Sequence, residues 1–94
     1  MEFEWDRKKA ESNKRKHGVS FNEASEAFND PNAIEIFDEL TSDDEIRFRL
    51  LAFSPKRLLF VGFTVRNGDT IRIITARKAT TAEKRYYYDE QRKK

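Results

Sequence analysis

Apolar side chains recur at every second position through much of the second half of the chain, a period typical of β-strands with one buried face. The stretch 46–52 alternates apolar residues with arginines, and 70–76 places Ile71 and Ile73 on one face. The run 58–65 is apolar almost throughout. It predicts a central strand covered on both faces, because a strand with a solvated face alternates instead.

Turn residues separate these strands. Asn67 and Gly68 stand between the last two stretches, and both positions tolerate the positive φ angles of a tight hairpin. We therefore expect the two flanking strands to pair antiparallel. A further strand is predicted over 33–38, with Ile34 and Ile36 facing inward.

Capping signals mark two helices in the first third of the chain. Asp6 is placed to cap a first helix that runs to about His17, and Gly18 is placed to end it in the left-handed conformation. Ser20 opens a second helix, with Glu23 three residues later completing the pattern of a capping box.

A last helix is predicted near the C-terminus. Thr80 and Glu83 form a second capping-box pattern. Ala79, Ala82 and Tyr86 stand at helical spacing, so the pattern predicts these three residues on the buried face of the helix.

Together these elements predict an α+β fold in one domain over residues 1–94. It has two N-terminal helices, a three- to four-stranded antiparallel meander and one C-terminal helix, with the helices on one face of the sheet. Residues 2–5 also alternate as a short strand does.

Composition argues against several kinds of chemistry. The chain has no cysteine and one histidine, so a disulfide framework and a thiolate metal site are excluded. The cluster Asp43-Asp44-Glu45 lacks the spacing of a metal loop, and no glycine-rich phosphate loop is present. We expect no metal and no cofactor. Without a signal-peptide pattern or a membrane-spanning apolar run, we expect a cytoplasmic protein that does not bind a membrane.

Charge is unevenly distributed, although the net charge is only +2. Basic residues crowd the segment from Arg7 to Lys16. Every charged residue between His17 and Arg47 is acidic, and Asp69 is the only acid between Arg47 and Lys78. Such segregation favours a polyanion on one side and a cationic partner on the other. A well-solvated small domain is an equally good interpretation of the charges alone.

The basic residues suit RNA cleavage, in which the RNA 2′-hydroxyl is the nucleophile and the protein provides a base, a cation and an acid. Arg66, Arg72 and Arg77 lie at or near the ends of the last two strands. An arginine fork pairs well with phosphate oxygens, and the amides of the loop after Arg77 also favour anions. Lys16 and His17, at the end of the first helix, could act as acid or base.

Each candidate also has a purely structural interpretation. His17 could only cap its helix, and Arg72 could pair with the acidic segment across the sheet. Arg47 and Arg49 could form the polar face of a strand. Of the adjacent Tyr87 and Tyr88, one is expected to point to solvent, where its ring could stack on a base.

Several blocks of the sequence carry a family resemblance. They are Phe3-Glu4-Trp5-Asp6, Lys16-His17-Gly18-Val19-Ser20-Phe21, Glu45-x-Arg47 and Arg72-Ile73-Ile74-Thr75-Ala76-Arg77-Lys78-Ala79, followed by Glu83 and Tyr87. Together these blocks resemble the BrnT family of toxins, and the Lys-His-Gly and Arg-Ile-Ile-x-Ala-Arg blocks are specific in combination. The turn Ser54–Arg57 and the lack of a glycine between Leu50 and Phe53 depart from the family pattern.

The resemblance implies a RelE-like, metal-independent endoribonuclease toxin of a type II toxin–antitoxin pair, which cleaves RNA and inhibits translation. It implies two partners, an RNA substrate and a ribbon-helix-helix antitoxin. The antitoxin dimer would carry two toxins and, through operator DNA, repress the shared operon.

The resemblance also implies functional residues. The implied catalytic set is Arg77, Arg66, Lys16 and His17, with Glu45, Arg47 and Tyr87 as secondary members. The implied RNA contacts are Arg72, Lys78 and Lys14.

Two other interpretations stay open. A non-catalytic nucleic-acid-binding module would use the same arginines for phosphate contact without any acid–base residue. A protein-interaction domain would use the acidic segment and would have no affinity for RNA at low salt.

Overall fold

The computed structural model describes residues 1–37 and 46–93. Its elements are β1 (Glu2–Glu4), α1 (Arg7–His17), α2 (Phe21–Ala27), β2 (Ile34–Phe37), β3 (Phe48–Phe53), β4 (Leu58–Arg66), β5 (Thr70–Lys78) and α3 (Thr81–Arg92). The α+β class and the order of the helices are as predicted.

The sheet of the described residues has five strands in the order β1-β5-β4-β3-β2. The meander from β2 to β5 is antiparallel, whereas β1 lies parallel to β5, with Glu2 opposite Thr70. The predicted antiparallel meander is therefore present with four strands, but β1 adds a fifth, parallel strand, so the sheet is mixed and the prediction is right only in part. The alternation over residues 2–5 indicates a strand, but no local signal shows that its partner lies almost 70 residues away.

The hairpin between β4 and β5 is confirmed. Asn67 and Gly68 have φ angles of 53° and 89°, and Arg66 pairs with Thr70 across the turn. The asparagine and the glycine are the residue types that adopt this backbone at least cost.

Helices cover both faces of the sheet, not one as predicted. On one face, α1 and α2 cover a core that includes Phe21, Ala24, Leu50, Leu59, Val61, Phe63, Ile71 and Ile73. On the other face, α3 covers Leu51 and Leu58 with Tyr87. Because β4 has apolar side chains on both of its faces, helices on one face alone would leave the apolar side chains of the other face in water.

The caps of α1 and α3 form as predicted, and that of α2 forms in part. The Asp6 carboxylate accepts from the Lys9 amide at 3.0 Å, and Gly18 ends α1 with a φ of 72°. Both halves of the Thr80–Glu83 capping box are present. Ser20 accepts from the Glu23 amide, but the Glu23 carboxylate binds elsewhere.

The buried face of α3 differs from the prediction. Tyr87 is 4% exposed, whereas Tyr86 is 45% exposed and Ala82 is also exposed. The Tyr87 hydroxyl donates to the Asp30 carboxylate at 2.7 Å, a long-range contact that helical spacing cannot reveal. Of the three predicted positions only Ala79 is buried, and it precedes the helix.

Ile34 and Ile36 of β2 were both predicted to face inward, and the prediction is right only for Ile34. Ile34 packs against the Tyr87 cluster. Ile36 is 40% exposed and lies with Ala82 and Tyr86 at the rim of α3. None of the helices described is long and apolar enough to cross a membrane.

Candidate active site

A basic cleft opens on the α3 side of the sheet, with a volume of about 350 Å³. This volume is at the small end of the range for ligand sites. The residues around it include Arg47 and Arg49 near β3, Phe60 and Gly62 on β4, and Ile74, Thr75 and Arg77 on β5. We call it the arginine cleft.

A β-bulge in β5 gives Arg77 its direction. Gly62 pairs with Thr75 but Phe63 pairs with Ile73, so Ile74 is an extra residue in the ladder. Residues of one parity share a strand face, and a bulge reverses that parity. Ile73 is buried under the helices, so an unbroken strand would turn Arg77 toward the same core; the bulge turns it into the cleft.

The strand β1 pairs only with the first residues of β5, and further along β5 a side chain forms the hydrogen bonds that a neighbouring strand would form. The Asn13 amide nitrogen of α1 donates to the Ala76 carbonyl at 2.8 Å, and its oxygen accepts from the Ala76 amide at 3.2 Å. Asn13 is 7% exposed and also donates to the Val19 carbonyl. It therefore holds the bulged part of β5 in place, as a neighbouring strand would.

The Arg77 guanidinium is held by a carboxylate and an aromatic ring. Its two terminal nitrogens donate to the two Glu83 oxygens at 2.9 Å each. Its central carbon lies 4.1 Å from the centroid of the Phe60 ring. A bidentate ion pair and a cation–π contact both restrict the orientation of this side chain.

The ion pair between Arg77 and Glu83 also shifts the pKa of both residues. Hydrogen bonds from Arg77 hold the pKa of Glu83 below its usual range, and those to Glu83 raise the pKa of Arg77. Both groups are therefore ionised at neutral pH, and Glu83 is a poor general base.

Among the described residues that line the cleft, three are arginines and none is acidic. Arg47, Arg49 and Arg77 line it, and the Arg49 guanidinium lies 5.7 Å from the Phe60 centroid. Glu83 is the carboxylate that pairs with the Arg77 guanidinium. The cleft is thus suited to an anion, with Phe60 providing an aromatic surface beside it.

Two residues of the predicted catalytic set, Arg77 and Arg47, lie in this cleft. Arg66 does not. In the sheet, Arg77 of β5 lies opposite Phe60 of β4. Arg66 is six residues beyond Phe60 along β4, which at strand spacing puts the backbones of the two arginines roughly 20 Å apart. The structure therefore separates two arginines that the predicted catalytic set includes together.

Lys16, His17 and Lys14 also lie away from the arginine cleft. They belong to the last turns of α1, which packs on the opposite face of the sheet. The carbonyl of Gly18, just after α1, accepts from Arg57 at 3.0 Å, which places this helix end beside the turn between β3 and β4.

The remaining predicted residues have varied settings. Tyr87 is buried, and its burial and its hydrogen bond to Asp30 raise its pKa above the usual value. Arg72 pairs at 2.8 Å with Glu4 of β1, not with the acidic segment. Lys78 is exposed at the end of β5. Glu45 lies outside the described residues.

Sequence reasoning missed Phe60 and the role of Glu83, and it assigned Arg49 only to the polar face of a strand. A usable signal was Gly62, because an isolated glycine within an apolar strand suggests a bulge or a close approach. A Cβ atom at Gly62 would lie 2.8 Å from Thr75 Cγ2, so a side chain at position 62 would clash with the Thr75 side chain unless one of them moved.

Among residues 1–36 and 46–93, no three carboxylate or imidazole groups converge as metal ligands do. The acidic cluster Asp43-Asp44-Glu45 lies outside the described residues.

Comparison with known proteins gives a consistent family. A family model described as a ribonuclease toxin, BrnT, of type II toxin–antitoxin systems matches residues 5–83. The crystal structure of the Brucella abortus ribonuclease toxin BrnT is similar, with a TM-score of 0.63 and 19% sequence identity, over 86% of this chain and 99% of that one. No curated protein matches the sequence. The structural likeness concerns the fold, and it is to a BrnT protein, a narrower relation than the RelE-like fold expected.

Proposed function

Because the chain belongs to the BrnT family of ribonuclease toxins of type II toxin–antitoxin systems, we propose that it is a cytoplasmic endoribonuclease that cuts RNA in the arginine cleft without a metal. Cutting RNA would inhibit translation. The observation that carries the proposal is the convergence of Arg47, Arg49 and Arg77 beside the Phe60 ring.

Arg77 is the proposed catalytic cation. The RNA 2′-hydroxyl loses its proton to a base and attacks the phosphorus, and the bond from phosphorus to the 5′-oxygen breaks, which gives a 2′,3′-cyclic phosphate and a 5′-hydroxyl. Negative charge grows on the phosphoryl oxygens in this step, and a cation already in place stabilises it without reorganisation. Glu83 and Phe60 fix Arg77 before RNA binds. Arg47 and Arg49 lie in the same cleft and are proposed to bind the phosphate as it is positioned.

The general base is proposed from chain position. Glu83 is committed to Arg77. Glu45 precedes Arg47 by two residues in the sequence, and we propose it as the general base. Lys16 and His17 keep their predicted acid–base role only if RNA reaches the opposite face of the sheet.

The proposed partner is an antitoxin of ribbon-helix-helix type, two toxins binding one antitoxin dimer and acting on operator DNA through it. The positive cleft favours inhibition by antitoxin carboxylates that occupy the phosphate position. Such occlusion would bury Arg77. A complex that leaves Arg77 open to solvent would rule out this mode of inhibition.

The test is cleavage of RNA by purified protein in EDTA. Arg77→Ala should lower the rate about 10²–10³-fold, the usual loss for one preorganised donor. Arg77→Lys should restore only part of it, because lysine keeps the charge and loses the fork. Arg92→Ala is the matched control, since its side chain is 81% exposed at the far end of α3.

The outcomes separate the alternatives, provided that circular dichroism shows each variant folded. Wild-type activity that disappears in EDTA contradicts the metal-free mechanism. A folded Arg77→Ala protein with the wild-type rate contradicts the role of Arg77. RNA that binds at low salt but is never cut supports the non-catalytic binding module instead.

A further inference from the structure

Helix α3 separates the arginine cleft from a second groove on the same side of the sheet. Tyr87 of α3 packs onto the sheet, while Ala82 and Tyr86 lie toward Phe60 and Arg49. On the other side of the helix is a groove of about 240 Å³, lined by Phe53, Arg57, Leu58, Lys78, Lys84 and Tyr88. We call it the lysine groove.

Two lysines give this groove its charge. Within the part of the chain that the structure describes, the ammonium groups of Lys78 and Lys84 have no ion-pair partner, and both residues are exposed. Arg57, by contrast, is bound to the Glu23 carboxylate at 2.8 Å. The groove therefore has two cations available to an anionic ligand.

An exposed aromatic ring lies beside these cations. Tyr88 is 49% exposed, yet its ring contacts Tyr87 at 5.5 Å and Phe53 at 6.4 Å between centroids. These contacts fix the ring while leaving half of its surface open. A fixed aromatic surface flanked by cations is the arrangement that binds single-stranded nucleic acid, because bases stack on the ring and phosphates meet the cations.

The position of the groove links it to the arginine cleft. Lys78 follows Arg77 directly at the end of β5, so the two sites meet at the N-terminus of α3. Because Arg77 lines the arginine cleft and Lys78 lines the lysine groove, a strand with one phosphate at Arg77 would reach the lysine groove at Lys78. Stacking requires an unpaired base, so the ligand is single-stranded and not a duplex.

We propose that the lysine groove binds the nucleotides that flank the cleaved phosphate, with a base stacked on Tyr88 and phosphates on Lys78 and Lys84. This rests on the proposed function for the identity of the RNA as substrate. It adds a second subsite, which sets affinity for longer RNA and not the rate of the chemical step.

Binding is measured by fluorescence anisotropy with a labelled single-stranded RNA of about a dozen nucleotides, 2′-O-methylated so that it cannot be cut. Tyr88→Ala should weaken binding about 5- to 150-fold, the range for loss of one stacked base. Tyr88→Phe should bind as the wild type does. Lys84→Ala should reduce the slope of log K against log salt by about 0.7, and the control Lys8→Ala, on α1, should leave it unchanged.

Cleavage kinetics give a second measurement. Tyr88→Ala should raise KM for the long RNA with kcat unchanged, and should not affect a dinucleotide substrate that ends within the cleft. Because the uncuttable RNA measures binding alone, a wild type that binds it but never cleaves contradicts the proposed function and not the groove.

The inference is overturned if folded Tyr88→Ala and Lys84→Ala proteins bind the RNA as the wild type does. If they also bind a glutamate-rich peptide more weakly, the groove is a docking site for protein.

Discussion

At the scale of single residues, the direction of Arg77 depends on the extra residue Ile74. The alternation of β5 was readable from Ile71 and Ile73, but alternation alone assigns Arg77 to the buried face. The bulge lies opposite Gly62 of the neighbouring strand, where a Cβ would meet the Thr75 side chain at 2.8 Å. Sequence could name Arg77 as a candidate, but the alternation along β5 could not show where it points, because the register shift is defined against another strand.

Tyr87 provides a test that separates a structural role from a catalytic one. Tyr87→Phe removes the hydroxyl that donates to Asp30 at 2.7 Å. Because the acceptor is a carboxylate, we expect a loss of about 1.5–3 kcal/mol in the free energy of unfolding, measured by urea denaturation. The cleavage rate per folded molecule should not change, because neither Tyr87 nor its partner Asp30 lines the cleft and the pKa of Tyr87 is raised.

Tyr86→Phe is the control, since that residue is 45% exposed and should lose little stability. A Tyr87→Phe protein that keeps wild-type stability but cuts RNA much more slowly would restore the catalytic role that the family resemblance implied.

At the scale of elements, helix ends were predictable and the partners of their side chains were not. The caps at Asp6 and Thr80 involve residues three apart in sequence, so local pattern is sufficient. The Glu23 carboxylate leaves its own cap for Ser54 and Arg57, more than 30 residues away. A turn that looked unusual for the family is thus the point where α2 joins the β3–β4 hairpin.

This junction predicts a pH dependence. Hydrogen bonds from Arg57, then Ser54, hold the pKa of Glu23 below its ordinary value of 4.5. A carboxyl whose pKa is lowered by folding adds stability above its unfolded pKa and loses it as the pH falls through the folded value. We expect Glu23→Gln to lose about 1–3 kcal/mol at pH 7, since Glu23 is nearly buried.

That difference from the wild type should shrink as the pH falls below about 4.5. Urea denaturation between pH 3 and 7 measures it, with Glu26→Gln, exposed on the same helix, as the control. A Glu23→Gln protein whose deficit is the same at every pH would show that the charge of Glu23 is not what stabilises the junction.

At the scale of the whole molecule, the apolar pattern of β4 predicted the placement of the helices better than the order of the helices along the chain did. Its apolar run implied cover on both faces, and the structure provides it with α1 and α2 on one side and α3 on the other. The separation of the two grooves follows from this, because α3 lies across the face that carries the arginines. The parallel pairing of β1 with β5 had no local signal and could not be predicted.

The charge distribution of the whole molecule leads to a last prediction. A net charge of +2 attracts RNA only weakly at a distance, so affinity must come from local contacts. For single-stranded RNA, log K falls with log salt by about 0.7 for each phosphate neutralised. Three arginines in the cleft predict a slope of about −2, and adding Lys78 and Lys84 predicts about −3.5.

The slope is measured with the uncuttable RNA between low and moderate salt. The basic residues of α1 belong to the helix on the opposite face, so Lys8→Gln with Lys9→Gln should not alter it. Arg49→Gln should make it shallower by about 0.7, because Arg49 lines the cleft. If the α1 variant changes the slope and the Arg49 variant does not, RNA binds across α1, and the arginine cleft is not where the phosphates lie.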